Sequence, residues 1–402
     1  MLRSFRVANH KSIRAEQELS LLPVYDKGRP VLPVAGVFGA NASGKSNLLD
    51  ALSWMRTAVN ESYASWKPGA GVARWPFRLD PTAVAEPSLY STELVVEGVR
   101  QTYGFEVDDE RVRQEWLYTY PHNRKRIIFE RQDGSWSFGS TVAHSDVEVL
   151  RRLTRDNALF LSVAGQSGLA ETAPAYSWFG HHLLSAYRYD RRRVGQIVAF
   201  LDGAPQRRRR LVALTRAADL GLADIRVRPT AAAESSQVML EKPDLEFLHG
   251  GSGVAMRSWE QSQGTLEWLA LLVPALTALE KGSVLCVDEL DASLHSRLTP
   301  RLIELFRSEE TNPAGAQLIF TTHDATLLGT SFGEDILARD EVWFVEKDRA
   351  GATTLFSYRD FRPREGENIQ KKYLSGTFGA VPMVSEWSFR SAVLGTGDNE
   401  AA

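Results

Sequence analysis

Alternation of apolar and polar positions opens the chain: within residues 1–38 the runs FRVAN, ELSLLP and VAGVF read as strands, with Gly28, Pro30 and Pro33 punctuating the approach to the third. A helix starting near Lys45 is predicted next. Between Trp66 and Pro87 periodicity fades while Pro, Gly and Ala accumulate, which predicts a loop. From Ser88 to Phe138 the short runs STELVVEG, QTYGFEVD, EWLYTY and RIIFER, separated by polar turns, predict an antiparallel sheet. The spacing then becomes helical from about Ser145 to Leu220, in VEVLRRL, LFLSVAG, HHLLSAY, VGQIVAFL and RRLVALTRAADLG, and predicts an inserted helical lobe. Thr230 to Gly253, with SSQVMLEK and LEFLHG, reads as one more hairpin. A helix through TLEWLALLVPALTAL, a strand VLCVDEL, a helix through LTPRLIELF and a buried strand QLIFTTHD follow; that order describes half of a parallel α/β sheet. The tail carries EVWFVEKD, TTLFSY and KKYLSGTFGAVP, and its polar end from Gly395 is expected to fray.

Composition narrows the setting. The 402 residues are 43% hydrophobic and 24% charged, an ordinary globular balance with length enough for a sizeable core plus an inserted lobe. Cys286 is the single cysteine, so an intrachain disulfide and a multi-cysteine zinc site are both excluded, and a reducing compartment is implied. The first residues lack the apolar stretch of a signal peptide, and no window approaches the ~20 apolar residues that span a bilayer. A cytoplasmic protein without a membrane partner is the expectation. A net charge of −3 gives no global pull toward nucleic acid, which leaves two local patches, Arg191 to Arg193 and Arg207 to Arg210. Four consecutive arginines must spread around a helix, so a solvated face is the default reading of the second patch and a phosphate-backbone or acidic-partner contact the alternative.

Two strings carry chemistry. GANASGKS, Gly39 to Ser46, matches GxxxxGK[ST] between an apolar strand and an amphipathic segment. In such a loop the N–H groups of Ala42 to Ser46 face phosphates at a helix N-terminus, Lys45 reaches the β- and γ-phosphates, and the Ser46 hydroxyl binds Mg²⁺. Downstream, Val284 to Val287 run directly into Asp288 and Glu289, placing two carboxylates at the C-terminal edge of a buried strand, where open α/β sheets bind ligands. Asp288 suits a metal held through its water shell, and Glu289 suits orientation or deprotonation of an attacking water.

In that order GANASGKS, SQGT, VLCVDELDASLH and IFTTHD resemble the nucleotide-binding motifs of the ABC ATPases, nearest to the short heads of SMC, RecF and double-strand-break repair proteins. FRVANHKSI, NALFLSVAG, SWF and KKYLSGTFGAVP are similar to a narrower group, the compact AAA-type ATP-binding proteins of bacterial abortive-infection and phage-defence operons (RloA/AbiL-like and PtuA-like). The resemblance implies an α/β P-loop NTPase of ABC-head type, divided into 1–85 with the phosphate loop, an antiparallel β subdomain 86–144, a helical insertion 145–250, and 251–402 with the remaining motifs. It implies ATP and Mg²⁺ as cofactors, with Asn41 and Asn47 flanking the phosphate contacts of Ala42, Ser43, Gly44, Lys45 and Ser46. Ser262 and Gly264 take the place of the signature motif that contacts the γ-phosphate of the opposite subunit, although Ser262 equally suits a plain helix N-cap. Asp291 takes the place of the dimer-contacting residue, His323 that of a γ-phosphate sensor, and Lys11 that of a basic residue touching the phosphates. No segment displays the expected glutamine loop; PFRLD, Pro76 to Asp80, stands there with Arg78 in the glutamine's place.

The function these expectations describe is an ATP-sandwiched homodimer, or a higher assembly, that switches a separate effector such as a Toprim or HNH nuclease, with DNA or RNA as a further partner through the arginine-rich insert. Two alternatives stand beside it: a RecF/SMC-like DNA-repair ATPase, and an ATP-dependent nuclease in its own right. Against the second, Glu334, Asp335, Asp340 and Glu341 read as a solvated acidic turn rather than a two-metal cluster. The tail from Lys371 to Pro382 reads as packing, with Tyr373, Phe378 and Val381 held on the sheet.

Overall fold

A computed structural model describes residues 1–26, 28–186, 194–218, 221–228, 244–250, 253–292, 294–331, 334–362, 366–382 and 386–394. The expected patch Arg191 to Arg193, the run SSQVMLEK and the tail from Gly395 lie outside these. In chain order come β1 (Leu2–Ala8), β2 (Gln17–Ser20), β3 (Val34–Phe38), α1 (Lys45–Glu61), α2 (Pro81–Ala85), β4 (Ser88–Val96), β5 (Val99–Val107), β6 (Val112–Thr119), β7 (Arg126–Gln132) and β8 (Ser135–Phe138). Next are α3 (His144–Leu153), α4 (Phe160–Gln166), α5 (Ala173–His181), β9 (Leu183–Ala186), α6 (Val194–Gly203), α7 (Pro205–Ala217), β10 (Leu222–Arg228), β11 (Asp244–His249) and β12 (Ala255–Arg257). The C-terminal part contains α8 (Gln263–Lys281), β13 (Val284–Val287), α9 (Leu298–Arg307), β14 (Gln317–Thr322), β15 (Thr330–Ser331), β16 (Glu334–Asp335), β17 (Val342–Lys347), β18 (Thr353–Ser357), α10 (Ile369–Leu374) and α11 (Glu386–Leu394).

Among the described residues the central sheet runs β18-β17-β3-β14-β13-β9, parallel except for the antiparallel edge strand β18. Its inner strands are covered on both faces: all of Val34–Phe38, Val284–Val287 and Gln317–Thr322 are buried, and apart from Gln317, Thr321 and Thr322 of β14 they are apolar runs. The period of two divides them between two cores. Ala35, Val37, Cys286 and Ile319 pack with α1, α4 and α5 under the antiparallel sheet, whereas Phe38, Leu285, Leu318 and Phe320 pack with α6 to α9 on the other face. Buried Cys286 has its thiol pushed up to about 12 by desolvation, so it behaves as an apolar side chain.

Two expected boundaries do not hold. The antiparallel sheet has the order β2-β1-β4-β5-β6-β7-β8, so the N-terminal strands belong to it, with Leu2 opposite Leu94, and the division at residues 85 and 86 cuts between paired strands. Nor is 145–250 a single helical insertion. Leu183 to Ala186, expected within a helix, form the edge strand of the central sheet with Leu183 opposite Val284, because α5 ends at His181 and returns the chain to that edge. Helices α4 and α5 before it pack on α1, while α6, α7 and the small sheet β10-β11-β12 after it gather about α8.

The acidic turn is also not solvated throughout. Asp340 and Glu341 are buried: Asp340 accepts from the Val24 and Tyr25 N–H groups at 3.0 and 3.3 Å, and Glu341 accepts from the Ala338 N–H at 2.7 Å and faces Arg307. The tail is packed as expected, with Tyr373 and Phe378 stacked against Phe344 of β17 at 5.4 and 5.5 Å between ring centres. No helix among the described residues is long and apolar enough to cross a membrane.

Candidate functional site: a phosphate-loop cleft at the strand ends

The C-terminal ends of β3, β13, β14 and β17 meet along one edge of the central sheet, and there a cleft of about 650 Å³ is lined by Asn41 to Asn47, Glu289, Asp291, Ala292, His323 and Lys347. β3 delivers the chain into the loop, and α1 begins at Lys45 with Gly44 as its N-cap residue. Helix α1 forms because Leu48, Leu49, Leu52, Met55 and Val59 make one buried stripe at helical spacing. Of its first N–H groups, that of Asn47 donates to the Gly44 carbonyl at 3.0 Å, and the first turn, Lys45 to Asn47, lines the cleft.

Two glycines have steric reasons to be there. A Cβ on Gly39 would stand 2.5 Å from the Val345 carbonyl oxygen of the neighbouring strand. Gly44 has φ +107, and a Cβ there would collide with the Thr353 hydroxyl. Thr353 donates to the Ser43 carbonyl at 2.8 Å and exchanges a 2.7 Å hydrogen bond with Ser12, which in turn accepts from Asn47 at 2.6 Å. The loop is thus braced by residues from both ends of the chain. Ala42 adopts φ +61, a left-handed strain at a non-glycine position.

The Lys45 ammonium donates to the carbonyls of Gly39 and Ala40 at 2.8 and 2.9 Å and approaches His323 Nδ1 at 3.3 Å. Burial pushes it down to about 8, against the opposing pull of Asp288, Glu289 and Asp291, so it has the character of a cation lacking an anionic partner. Ser43 Oγ is buried without a hydrogen-bond partner. Both observations fit an anion in the loop.

Across from the loop, Asp288 Oδ1 accepts from Ser46 Oγ at 3.0 Å and from Thr321 Oγ1 at 2.5 Å. A hydroxyl and a carboxylate side by side are the oxygen donors that a hard divalent cation takes. Glu289 follows with φ +51, its N–H donating to Thr321 Oγ1 at 2.8 Å, and its carboxylate stands 3.8 Å from His323 Nε2. Asp291 Oδ1 accepts from Thr322 Oγ1 at 2.6 Å and from the His323 N–H at 3.3 Å, tying the turn after β13 to the end of β14. The chain therefore brings together Asn41 to Asn47, Asp288, Glu289, Asp291 and His323.

Four expected residues stand apart. Lys11 Nζ pairs with Asp50 Oδ2 of α1 at 2.7 Å, and His10 shares that carboxylate at 2.8 Å while its other ring nitrogen meets the Tyr90 hydroxyl. Ser262 caps α8 by accepting from the Thr265 N–H at 3.2 Å, and neither Ser262 nor Gly264 lines the cleft of its own chain. In the glutamine-loop position Arg78 is exposed and its neighbour Leu79 lies against Gly351 in the β17–β18 turn. Sequence reading missed Lys347, Thr321, Ser12 and Thr353. For Lys347 a signal is present, since VWFVEK is an apolar run ending in charged residues, the same pattern as VLCVDE at Val284 to Glu289.

A parallel sheet with a GxxxxGKS loop between its β3 and α1 and an acidic strand end two strands away defines a P-loop nucleoside triphosphatase fold. Residues 34–329 match the family described as "AAA domain, putative AbiEii toxin, Type IV TA system", and the chain belongs to that family. Among solved structures it is similar to an Smc head bound to the C-winged helix domain of ScpA, at 14% identity and a TM-score of 0.44 over 89% of this chain and 97% of that one. It is also similar to an Smc head domain with a coiled coil and joint from Pyrococcus yayanosii, at 9% identity and a TM-score of 0.40 over 89% and 96%. Curated proteins give no significant match.

Proposed function

We propose that the chain binds ATP with Mg²⁺ in the phosphate-loop cleft and hydrolyses it slowly, and that two copies close around the nucleotides to switch a separate effector in bacterial antiphage defence. The observation that supports this is convergence: Lys45, Ser46, Glu289 and His323 line one polar cleft and Asp288 accepts from Ser46, while Ser262 and Gly264 at the capped start of α8 do not line it. A helix N-terminus opened by Ser262 and Gly264 offers positive potential to an anion, and a second copy supplies one if its triphosphate lies across the interface.

In this reading Lys45 grips the β- and γ-phosphates once they replace the Gly39 and Ala40 carbonyls. Ser46 and Asp288 would hold the metal, which when bound supplies neutralisation of phosphate charge. Glu289 orients or deprotonates the attacking water, His323 reports the γ-phosphate, and Asp291 sits at the dimer contact. ATP then stabilises the closed pair because it contacts both copies only there. Specific ATPase activity should fall on dilution as the pair dissociates. A value that stays constant down to nanomolar protein, with only monomer present, would sink the shared-site mechanism.

The defence setting rests on the toxin named in the family description and on the narrower resemblance to abortive-infection ATPases. The effector is a nuclease of Toprim or HNH type, and nucleic acid is a second partner through α7. There Arg207 pairs with Glu280 and Arg208 with Asp224, leaving Arg209 and Arg210 on the exposed face. Replacing Arg209 and Arg210 with Ser is expected to weaken duplex binding and to lower its log–log salt slope by roughly 2. An unchanged electrophoretic shift would end the nucleic-acid reading of this helix.

A further inference from the structure

Lys347 enters the cleft from a strand that carries none of the sequence motifs. β17 lies on the side of β3 away from β14 and β13, in the order β17-β3-β14-β13. The residues suited to metal and water therefore stand on one flank of the loop, Asp288, Glu289 and Asp291 after β13 and His323 after β14, and Lys347 stands on the other.

Its place is fixed by contacts to the loop itself. Two residues before it, the Val345 carbonyl packs against Gly39, the first loop residue. Thr353, its ladder partner on β18, donates to the Ser43 carbonyl. Lys347 is exposed and forms no ion pair with any described residue. By contrast, the other lysine of the cleft, Lys45, is buried and already donates to two carbonyls.

A nucleoside triphosphate has a direction. If its γ-phosphate faces Glu289 and His323, the chain of phosphates crosses the loop and its nucleoside end leaves on the β17 flank. An ammonium there meets the α-phosphate or the ribose oxygens, not the γ-phosphate. We infer that Lys347 is a nucleotide-binding residue for the nucleoside end, adding affinity to the di- and triphosphate alike. This rests on the nucleotide reading of the cleft.

Calorimetric titration of the full chain with ATP and with ADP separates the possibilities, with wild type, Lys347→Ala, Lys347→Arg and Lys45→Ala compared. Loss of one charge-assisted contact is expected to weaken both nucleotides by about tenfold in Lys347→Ala, with most of it recovered in Lys347→Arg. Because the side chain is exposed, this variant is expected to fold, which its thermal transition checks. Wild-type binding with Lys347→Ala unchanged for both nucleotides would overturn the assignment alone. So would a loss confined to ATP, which would move the lysine to the γ end. Wild type that binds neither nucleotide would overturn the underlying reading and this inference with it.

Discussion

Glu289→Gln is expected to lower the ATP turnover of the associated protein by about 10³-fold, a change of about 4 kcal/mol in the barrier, while ATP binding stays near the wild-type level. The substitution keeps the size of the side chain and the same left-handed backbone at φ +51, and the N–H bond to Thr321 is untouched. What it removes is the carboxylate proposed as the proton acceptor, which lines the cleft 3.8 Å from His323. In the proposed function, binding depends on other groups, chiefly Lys45 and the loop N–H donors, so chemistry and affinity are expected to separate. Because the trapped triphosphate would hold the closed pair, this variant should also sediment as a dimer with ATP at concentrations where the wild type with ADP is monomeric. Turnover within about threefold of wild type would show that Glu289 is not the base.

The parts of this site that were legible in the sequence are those written in consecutive residues. Gly39 to Ser46 and Val287 to Glu289 each encode a strand end and its chemistry within one turn of chain, and the structure places both on one cleft. The pairing of the N-terminal strand with Leu89 to Leu94, and of Leu183 to Ala186 with Val284 to Val287, is not local information. Leu183 to Ala186 are too few to show a period of their own, and they lie within the helical spacing of HHLLSAY. Asp340 and Glu341 look like solvent-facing charge until the backbone N–H groups they satisfy are brought in from residues 24, 25 and 338. Bracing of Gly44 by Ser12 and Thr353 joins positions 341 residues apart, which no pattern of spacing reveals.

Glu115 carries the second large effect, on stability. It lies on β6 and is fully buried, its Oε2 accepting from the Phe160 N–H at 2.6 Å and its Oε1 from the Leu161 N–H at 2.9 Å and the Tyr103 hydroxyl at 3.0 Å. One carboxylate thus closes the start of α4, and α4 packs on the phosphate-loop helix α1, so the bond ties the antiparallel sheet to the element that presents Lys45. Removing it in Glu115→Ala leaves two N–H donors, a hydroxyl and the charge of Arg131 buried without it, and is expected to cost about 3–5 kcal/mol. Burial raises the Glu115 carboxyl above its ordinary range against the opposing pull of those donors and Arg131. The folded state therefore holds this proton at pH values where the unfolded chain has released it. Its contribution is fully present below the unfolded carboxylate value and is lost as pH rises through the raised folded one. Denaturant unfolding of wild type and Glu115→Gln at a series of pH values from about 4.5 upward tests both points, since the glutamine cannot titrate. The stability advantage of wild type should shrink as pH rises through that window. An advantage that grows with pH, or an alanine variant within about 1 kcal/mol of wild type, would show that this carboxylate does not hold the two layers together.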